Sequence, residues 1–290
     1  FQRVTTPFSL YQAPAPFDAE QAGQFYVTPV DLRRNKEQQA AQLMAHCTPM
    51  LPLLAIHEGY PGHHLQKVHA NQAPTRLRRI GTSDVFSEGW ALYCEDLMWE
   101  QGFFTSDPLT RLFQLRNELW RACRVVLDAG LHTGRMTWGE AVDMLVNEAM
   151  LERANAEAEV NRYCMTPTQP MSYLIGKLAI TELRDEAKQK LGAKFDLQAV
   201  FDHINDFIHG QRHGEALAGE HQKRLHAVRA DVGPFQFDHR HQAAAVLQAV
   251  EAVRPFDLGG RHEFQPGDAG KLHHLGRAFA RSHEQQGDHR

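Results

Sequence analysis

Helical periodicity governs most of this chain and most constrains its fold. From about residue 35 to about residue 210, apolar side chains recur at helical spacing, with Ala, Leu, Glu and Arg prominent. Helix-start signals stand where such helices would begin. Ser83 and Asp84 lead one segment, and Thr137 precedes Glu140 by the capping-box distance. We therefore predict a mainly α fold built as a bundle of long helices.

The two ends of the chain have a different character. The stretches "FQRVTTPFSLY" and "GQFYVTPVD", within the first 32 residues, are β-like and predict a small N-terminal β element. Beyond about residue 209 the sequence is rich in His and Arg, and this part holds eleven of the 18 histidines. We predict one domain over 1–208, which includes the β element and the helices, and an atypical, poorly ordered His/Arg-rich tail over 209–290.

Composition excludes several classes of function. The apolar fraction of 42% and the charged fraction of 23% are those of an ordinary soluble globular protein. A formal net charge of −4 with interspersed signs gives no electrostatic reason to expect a nucleic-acid partner. No uninterrupted apolar run approaches ~18 residues, so no membrane span is expected. The chain starts at Phe1 rather than Met, so the absence of a signal peptide leaves cytoplasm and periplasm both open. The oligomeric state is also open.

The segment "LLAIHEGYPGHHLQKVHA", residues 53 to 70, carries the strongest chemical signal. His57 and Glu58 lie in an apolar run, where polar side chains are costly unless they are paired or bind a metal. A zinc peptidase helix usually has the pattern H-E-x-x-H, with both histidines on one face. Here the position four residues after His57 is Pro61, so the segment is a variant of that pattern.

The variant predicts a break in the helix. Pro61 has no N–H to donate to the carbonyl of His57, and Gly62 permits unusual backbone angles. Such a pair often marks a kink or a π-type bulge, which changes the direction of the side chains that follow. We expect the break to bring a later histidine back towards His57. His63 is favoured, and His64 is the alternative.

A further carboxylate completes a candidate zinc site. Glu88 follows the two later histidines by 24 or 25 residues, in the helical segment "FSEGWALYCE". Catalytic zinc commonly takes three protein ligands, often two His and one Glu, and keeps a fourth position for water. This layout predicts Glu88 as the third ligand. Glu58 is then placed to take a proton from zinc-activated water as it attacks a carbonyl.

Three stretches resemble motifs of the bacterial domain-of-unknown-function 885 family. They are "HEGYPGHHLQ", "SEGWALYCEDL" and "NRYCMTPTQPMSYLIGKLAITELRDEAKQKLGAKFDL", which match H-E-x-x-P-G-H-x-x-Q, E-G-W-A-L-Y and Y-x-x-x-P-x-Q-x-x-S-Y-x-x-G. That family is similar to helical zinc metallopeptidases of the angiotensin-converting-enzyme and thimet-oligopeptidase kind. The resemblance covers residues 1–208 and the C-terminal half of a typical member. It implies a zincin-like catalytic half, Zn²⁺ bound by His57, His63 and Glu88, and Glu58 as general base or acid.

Peptide hydrolysis also needs a donor that stabilises the oxyanion of the tetrahedral intermediate. Tyr173, Tyr163 and His132 are candidates, and Tyr173 is favoured because "P-x-Q-x-x-S-Y" resembles a family motif. A tyrosine in an apolar run is also commonly a core residue whose hydroxyl is satisfied locally. Arg124 and Arg162 could hold a peptide carboxylate, although helical arginines are more often ion-paired.

The sequence therefore favours a zinc-dependent hydrolase that cleaves peptide bonds, with a peptide as its substrate. The alternative is a non-catalytic peptide-binding or scaffold protein with a structural or vestigial metal site. The ligand count separates the two: a closed site in which His64 joins His57, His63 and Glu88 would favour the structural role.

Overall fold

Two antiparallel strands and a succession of helices form the part of the chain that the structure describes. This computed structural model describes residues 9–44 and 47–201. Its elements are β1 (Ser9–Gln12), β2 (Gln24–Val27), α1 (Lys36–Met44), α2 (Met50–Leu54), α3 (His63–Asn71), α4 (Arg76–Ile80), α5 (Asp84–Glu100), α6 (Pro108–His132), α7 (Trp138–Asn147), α8 (Arg153–Met165) and α9 (Gln169–Leu191). The predicted mainly α fold with a small N-terminal β element is confirmed. The predicted boundary at residue 208 and the tail over 209–290 lie outside the described residues.

The hairpin pairs its strands with Ser9 opposite Val27 and Gln12 opposite Gln24. Strand β2 is exposed along its whole length, whereas three of the four residues of β1 are half-buried. The hairpin therefore packs onto the helices through β1, and Tyr11 of that strand reaches the functional site.

Local sequence signals explain where several helices begin. The predicted capping box of α7 is present, because Thr137 and Glu140 bond reciprocally to each other's backbone N–H groups. At the start of α6, the Asp107 carboxylate accepts a hydrogen bond from the backbone N–H of Leu109 at 3.0 Å, and Pro108 occupies the first turn.

Two apolar clusters form the core of the described region. One joins α2, α5 and α9, and it includes Leu53, Ile56, Trp90, Tyr93 and Ile180. The other joins α6, α7 and α8, and it includes Cys123, Leu127, Leu145, Val160 and Tyr163. Within the described ranges, no helix is both long enough and apolar enough to cross a membrane.

Helices α5 and α9 approach each other so closely that their backbones touch. A Cβ atom added to Gly89 would lie 2.4 Å from the Cα of Gly176, and one added to Gly176 would lie 1.8 Å from the carbonyl oxygen of Val85. Both positions therefore require glycine. Beside this contact, the buried Lys177 forms ion pairs with Asp96 of α5 and Glu118 of α6.

This contact predicts the effect of a single methyl group. The substitution Gly176→Ala should destabilise the fold by about 1–3 kcal/mol, because the added carbon overpacks a backbone contact. Gly139→Ala is the matched control, since a Cβ atom there meets nothing within 4 Å. In an exposed helical turn that control should be neutral or stabilising by about 0.5–1 kcal/mol. Denaturant unfolding measures both variants, and equal stabilities would contradict the close packing.

Candidate metal centre

The helix that carries His57 is interrupted at the position that the sequence indicated. Ala55–Gly59 form a π-helical segment, the Tyr60–Pro61 peptide is cis, and α3 begins at His63. The turn is so tight that a Cβ atom at Gly62 would lie 2.0 Å from the carbonyl oxygen of His57. The predicted π-type bulge is thus present, and the rings of His57 and His63 come to lie 4.9 Å apart.

The interrupted helix is fixed to α5 by a motif residue. The indole Nε1 of Trp90 donates a hydrogen bond to the carbonyl oxygen of Pro61 at 2.8 Å. Trp90 is buried in the core and lies two residues after Glu88. Because the same helix carries the carboxylate and anchors the turn, Glu88 is held opposite the two histidines.

His57, His63 and Glu88 form a cluster that could hold a metal ion. One ligand atom from each lies within 4.8 Å of the others. Glu88 Oε2 is 3.1 Å from His63 Nε2 and 3.9 Å from His57 Nε2. Zinc ligands at 2.0–2.1 Å in tetrahedral geometry stand about 3.3 Å apart, so these separations suit a small cation.

The hydrogen bonds that hold the two histidines use the nitrogens that face away from the cluster. His57 Nδ1 lies 2.9 Å from Glu95 Oε1, and His63 Nδ1 lies 3.4 Å from Ser87 Oγ. Both Nε2 atoms therefore point away from these partners and towards Glu88 Oε2. That oxygen is buried. A buried carboxylate oxygen that faces two imidazole nitrogens fits a metal ligand set.

The charges in the cluster attract a proton when no metal is bound. Burial lowers the pKa of His57, but its interactions with Glu88 and Glu95 outweigh burial and raise that pKa to about 9. Burial raises the pKa of Glu88, but His57 and His63 outweigh it and hold that pKa well below its usual range. A cation bound here competes with this proton, because imidazole must be neutral to coordinate a metal.

Glu95 was missed by the sequence analysis, although its position carried a signal. It lies seven residues after Glu88 on α5, so both carboxylates lie on one face of the helix. Its side chain is 2% exposed and sits in an apolar run, where an unpaired charge is costly. A carboxylate bonded to the second nitrogen of a metal-binding histidine fixes the ring's orientation and tautomer.

Ser87 orients the other histidine. Its hydroxyl lies 3.4 Å from His63 Nδ1 and 3.4 Å from Gln66 Oε1. Ser87 precedes Glu88 in the E-G-W-A-L-Y motif, so one turn of α5 supplies both a candidate ligand and a supporting hydroxyl.

The start of α9 brings Tyr173 to the cluster. The amide Nε2 of Gln169 donates to Glu88 Oε1 and to the hydroxyl oxygen of Tyr173, each at 3.3 Å. The ring of Tyr173 stacks on that of His57, with centroids 6.2 Å apart and planes 15° from parallel. Burial and the charge of Glu88 raise the pKa of Tyr173, which keeps its hydroxyl protonated.

His132 supports the same helix start. Its Nε2 donates to the backbone carbonyl of Tyr163 at 3.1 Å and lies 3.5 Å from Asp128 Oδ1. The Asp128 carboxylate accepts from the backbone N–H groups of Thr168 at 3.1 Å and Met171 at 3.3 Å. Within the described region, His132 therefore contacts the Tyr163 carbonyl and Asp128, the carboxylate that holds the start of α9. Its role as an oxyanion donor stays a prediction.

A buried polar network behind Tyr173 contains Tyr163, Arg124 and Arg162. The hydroxyl of Tyr163 accepts from Arg124 Nε at 2.7 Å. Arg124 and Arg162 share the carboxylate of Glu159, at 3.1 Å and 2.9 Å respectively. Both predicted carboxylate binders are thus already ion-paired within the chain.

The remaining histidine and the candidate base are not members of the cluster. His64 Nδ1 is hydrogen-bonded to the hydroxyl of Tyr11 at 2.8 Å, and His64 is not part of the cluster. The ring of Tyr11 also stacks near that of His63, with centroids 6.3 Å apart. Glu58 is half-buried, and its charge raises the pKa of both His57 and Tyr11. Its carboxylate therefore lies close to the cluster.

None of the curated proteins matches the chain. Among solved structures, five chains are similar, and two of them show how far the similarity extends. One, described as a candidate lipoprotein of unknown function from Shewanella oneidensis, is 32% identical over 69% of this chain, with a TM-score of 0.59. The other, a candidate lipoprotein from Colwellia psychrerythraea, is 30% identical over 79% of this chain, with a TM-score of 0.64.

The chain spans little more than a third of the length of these two proteins, since it covers 36% of each. At the level of families, the match is to the bacterial proteins of unknown function called DUF885, over residues 1–204. That match includes the interrupted helix, α5 and the start of α9, from which the candidate metal centre is built. This chain therefore belongs to the DUF885 family of bacterial proteins.

Proposed function

We propose that this protein is a zinc-dependent hydrolase that cleaves peptide bonds. The observation that carries the proposal is the cluster of His57, His63 and Glu88, whose metal-facing atoms face one another while their other atoms are held by α5 and α9. A His-His-Glu set is a common ligand set of catalytic zinc. Zinc bound there lowers the pKa of water towards ~7 and polarises a carbonyl group.

Glu58 is the general base of the proposed reaction. It follows His57 directly, as the glutamate does in the H-E-x-x-H pattern, and its charge acts on the cluster. Its carboxylate accepts a proton from the attacking water and passes it to the leaving amine. The helix break between His57 and His63 changes the spacing of the histidines but leaves Glu58 beside the first of them.

Tyr173 is the proposed oxyanion donor. Gln169 donates to the oxygen of the Tyr173 hydroxyl, so the hydroxyl proton remains available for another acceptor. The stacking of Tyr173 on His57 holds that proton near the place where a substrate carbonyl would become negatively charged.

The position of His64 favours catalysis over a purely structural metal site. A structural zinc site is closed by four protein ligands, whereas a catalytic site keeps one position open. His64 is the residue that could close this site, and it is not part of the cluster. The open set of three ligands therefore supports the hydrolase over the scaffold alternative.

Zinc content tests the ligand set. After dialysis against a weak chelator, which removes ions bound loosely by histidines elsewhere, the chain should retain about one zinc. His63→Ala and Glu88→Ala should lose it, because each removes one of three ligands. His64→Ala is the matched control and should keep the zinc, since His64 lies outside the cluster. Loss of zinc in His64→Ala with retention in His63→Ala would reverse the assignment of the second histidine.

The substitution Glu58→Gln tests the hydrolase itself. It should lower kcat at least about 10²-fold on any peptide that the parent protein cleaves, because the amide cannot accept the proton. Zinc content should be unchanged. Cleavage of a mixed peptide library, followed by mass spectrometry, measures the effect. Glu182→Gln, at an exposed position of α9, is the control. Full activity in Glu58→Gln would refute the proposed mechanism.

Removing one hydroxyl tests the oxyanion donor. Tyr173→Phe should lower kcat about 10²–10³-fold with little change in zinc content, because the ring remains and only the donor is lost. Tyr26→Phe is the control, since Tyr26 is 49% exposed on β2. Equal kcat values for the two variants would assign the donor role to another residue.

A further inference from the structure

The guanidinium group of Arg121, on α6, is buried without a carboxylate partner. The residue is 8% exposed, and Nη1 donates to the backbone carbonyl of Asn117 at 3.3 Å. Its Nε is buried and has no hydrogen-bond acceptor among the described residues. Burial and the neighbouring Arg124 lower the pKa of Arg121, whereas the charge of Glu95 raises it. A buried charge is normally paired, so an unpaired one calls for an explanation.

The surroundings of Arg121 carry an excess of positive charge. Arg124 and Arg162 both use Glu159 as their ion-pair partner. Arg124 Nη1 is also buried without an acceptor in the described part of the chain. Two guanidinium groups thus share one carboxylate, and Arg121 and Arg124 each present a buried N–H donor without an acceptor among the described residues.

This excess lies next to the candidate metal centre. The Cζ atoms of Arg124 and Arg121 lie 4.6 Å and 5.8 Å from the centroid of the Tyr173 ring. The same ring stacks on His57 at 6.2 Å. One aromatic side chain therefore separates the unpaired donors from a candidate metal ligand. A peptide advances about 3.3–3.6 Å per residue, so no more than about three residues of extended substrate fit between the two.

The chemistry of these N–H donors indicates a carboxylate as their ligand. An arginine presents N–H groups in a planar fork that matches the two oxygens of a carboxylate. The C-terminus of a peptide is a carboxylate, and it lies at a fixed number of bonds from the last peptide bonds. A ligand carboxylate would supply the negative charge that the chain itself does not place beside Arg121.

We propose that Arg121, with the free Nη1 of Arg124, binds the C-terminal carboxylate of a peptide substrate, so that the protein removes one or two residues from the C-terminus. This inference rests on the proposed peptidase function. In the reaction, the C–N bond breaks, water supplies a hydroxyl to the acyl carbon, and its remaining proton goes to the leaving amine. The products are a shortened peptide and a free amino acid or dipeptide.

The rival explanation is structural. Glu95 Oε2 is also buried without a hydrogen-bond partner among the described residues, and its charge acts on Arg121. In that case Arg121 would only balance Glu95, which in turn holds His57. A structural role would affect every substrate equally, whereas carboxylate binding discriminates between a peptide acid and its amide.

The test compares one peptide mixture prepared with free C-terminal carboxylates and again as C-terminal amides. For the full chain, kcat/KM should be roughly 10- to 150-fold higher on acids than on amides, as expected for hydrogen bonds to a charged group. Products should be one or two residues shorter. Arg121→Gln should abolish the preference by slowing acid cleavage alone. Arg121→Lys should retain part of it, because the charge remains without the fork. Arg153→Gln, at an exposed ion pair, is the control.

A binding measurement separates the failure of this inference from failure of the peptidase proposal. Calorimetry on the metal-free chain, where no cleavage is expected, compares N-acetyl-tetra-alanine with its C-terminal amide. Acid-selective binding that Arg121→Gln removes supports the subsite even if no peptide is cleaved. Cleavage of acids and amides at equal rates, without selective binding, overturns the subsite and leaves the peptidase standing. If a folded Arg121→Gln variant loses kcat/KM equally on acids and amides, Arg121 only supports Glu95. That result also overturns the carboxylate subsite.

Discussion

The contact between Gly89 and Gly176 is the interaction on which the candidate site depends. Helices normally pack with their axes 8–10 Å apart, at a distance set by the side chains between them. Here the backbones of α5 and α9 touch, so their separation is set by the chain itself. Glu88 precedes one glycine by one residue, and Tyr173 precedes the other by three. The contact therefore fixes the distance between a candidate metal ligand and the proposed oxyanion donor, and Gln169 bridges the two.

The interrupted helix is the second constraint, and it is stabilised by its neighbours. A π-helical segment and a tight turn are poorer in regular hydrogen bonds than an uninterrupted helix. The carbonyl freed at Pro61 accepts the indole N–H of Trp90, which fixes the turn against α5. The irregular backbone thus lies between His57 and His63, where it brings the two side chains together. Departures from regular structure are expected at functional sites. The motif E-G-W-A-L-Y supplies a ligand, a glycine contact and an anchor within one turn of helix.

What could be predicted from the sequence depended on how far each interaction reaches along the chain. The capping box at Thr137 and the bulge at Pro61 are local features, and their residues are adjacent in sequence. The choice of His63 over His64 needed the three-dimensional course of the turn, which the sequence only favoured. Glu95 left a periodic signal that went unused. The unpaired Arg121 left none, because being unpaired is a property of the residues that surround it in space.

The distribution of buried charge connects the metal centre with the arginines behind Tyr173. The carboxylates near the site are committed: Glu88 faces the histidines, Glu95 bonds to His57, and Glu159 is shared by two guanidinium groups. A cation at the cluster would add positive charge to a region that already contains an unpaired Arg121. An unpaired buried charge weakens folding, and it persists where binding of an opposite charge compensates. A substrate that ends in a carboxylate and develops an oxyanion supplies negative charge at both places, so binding and reaction would relieve the imbalance that the free chain retains.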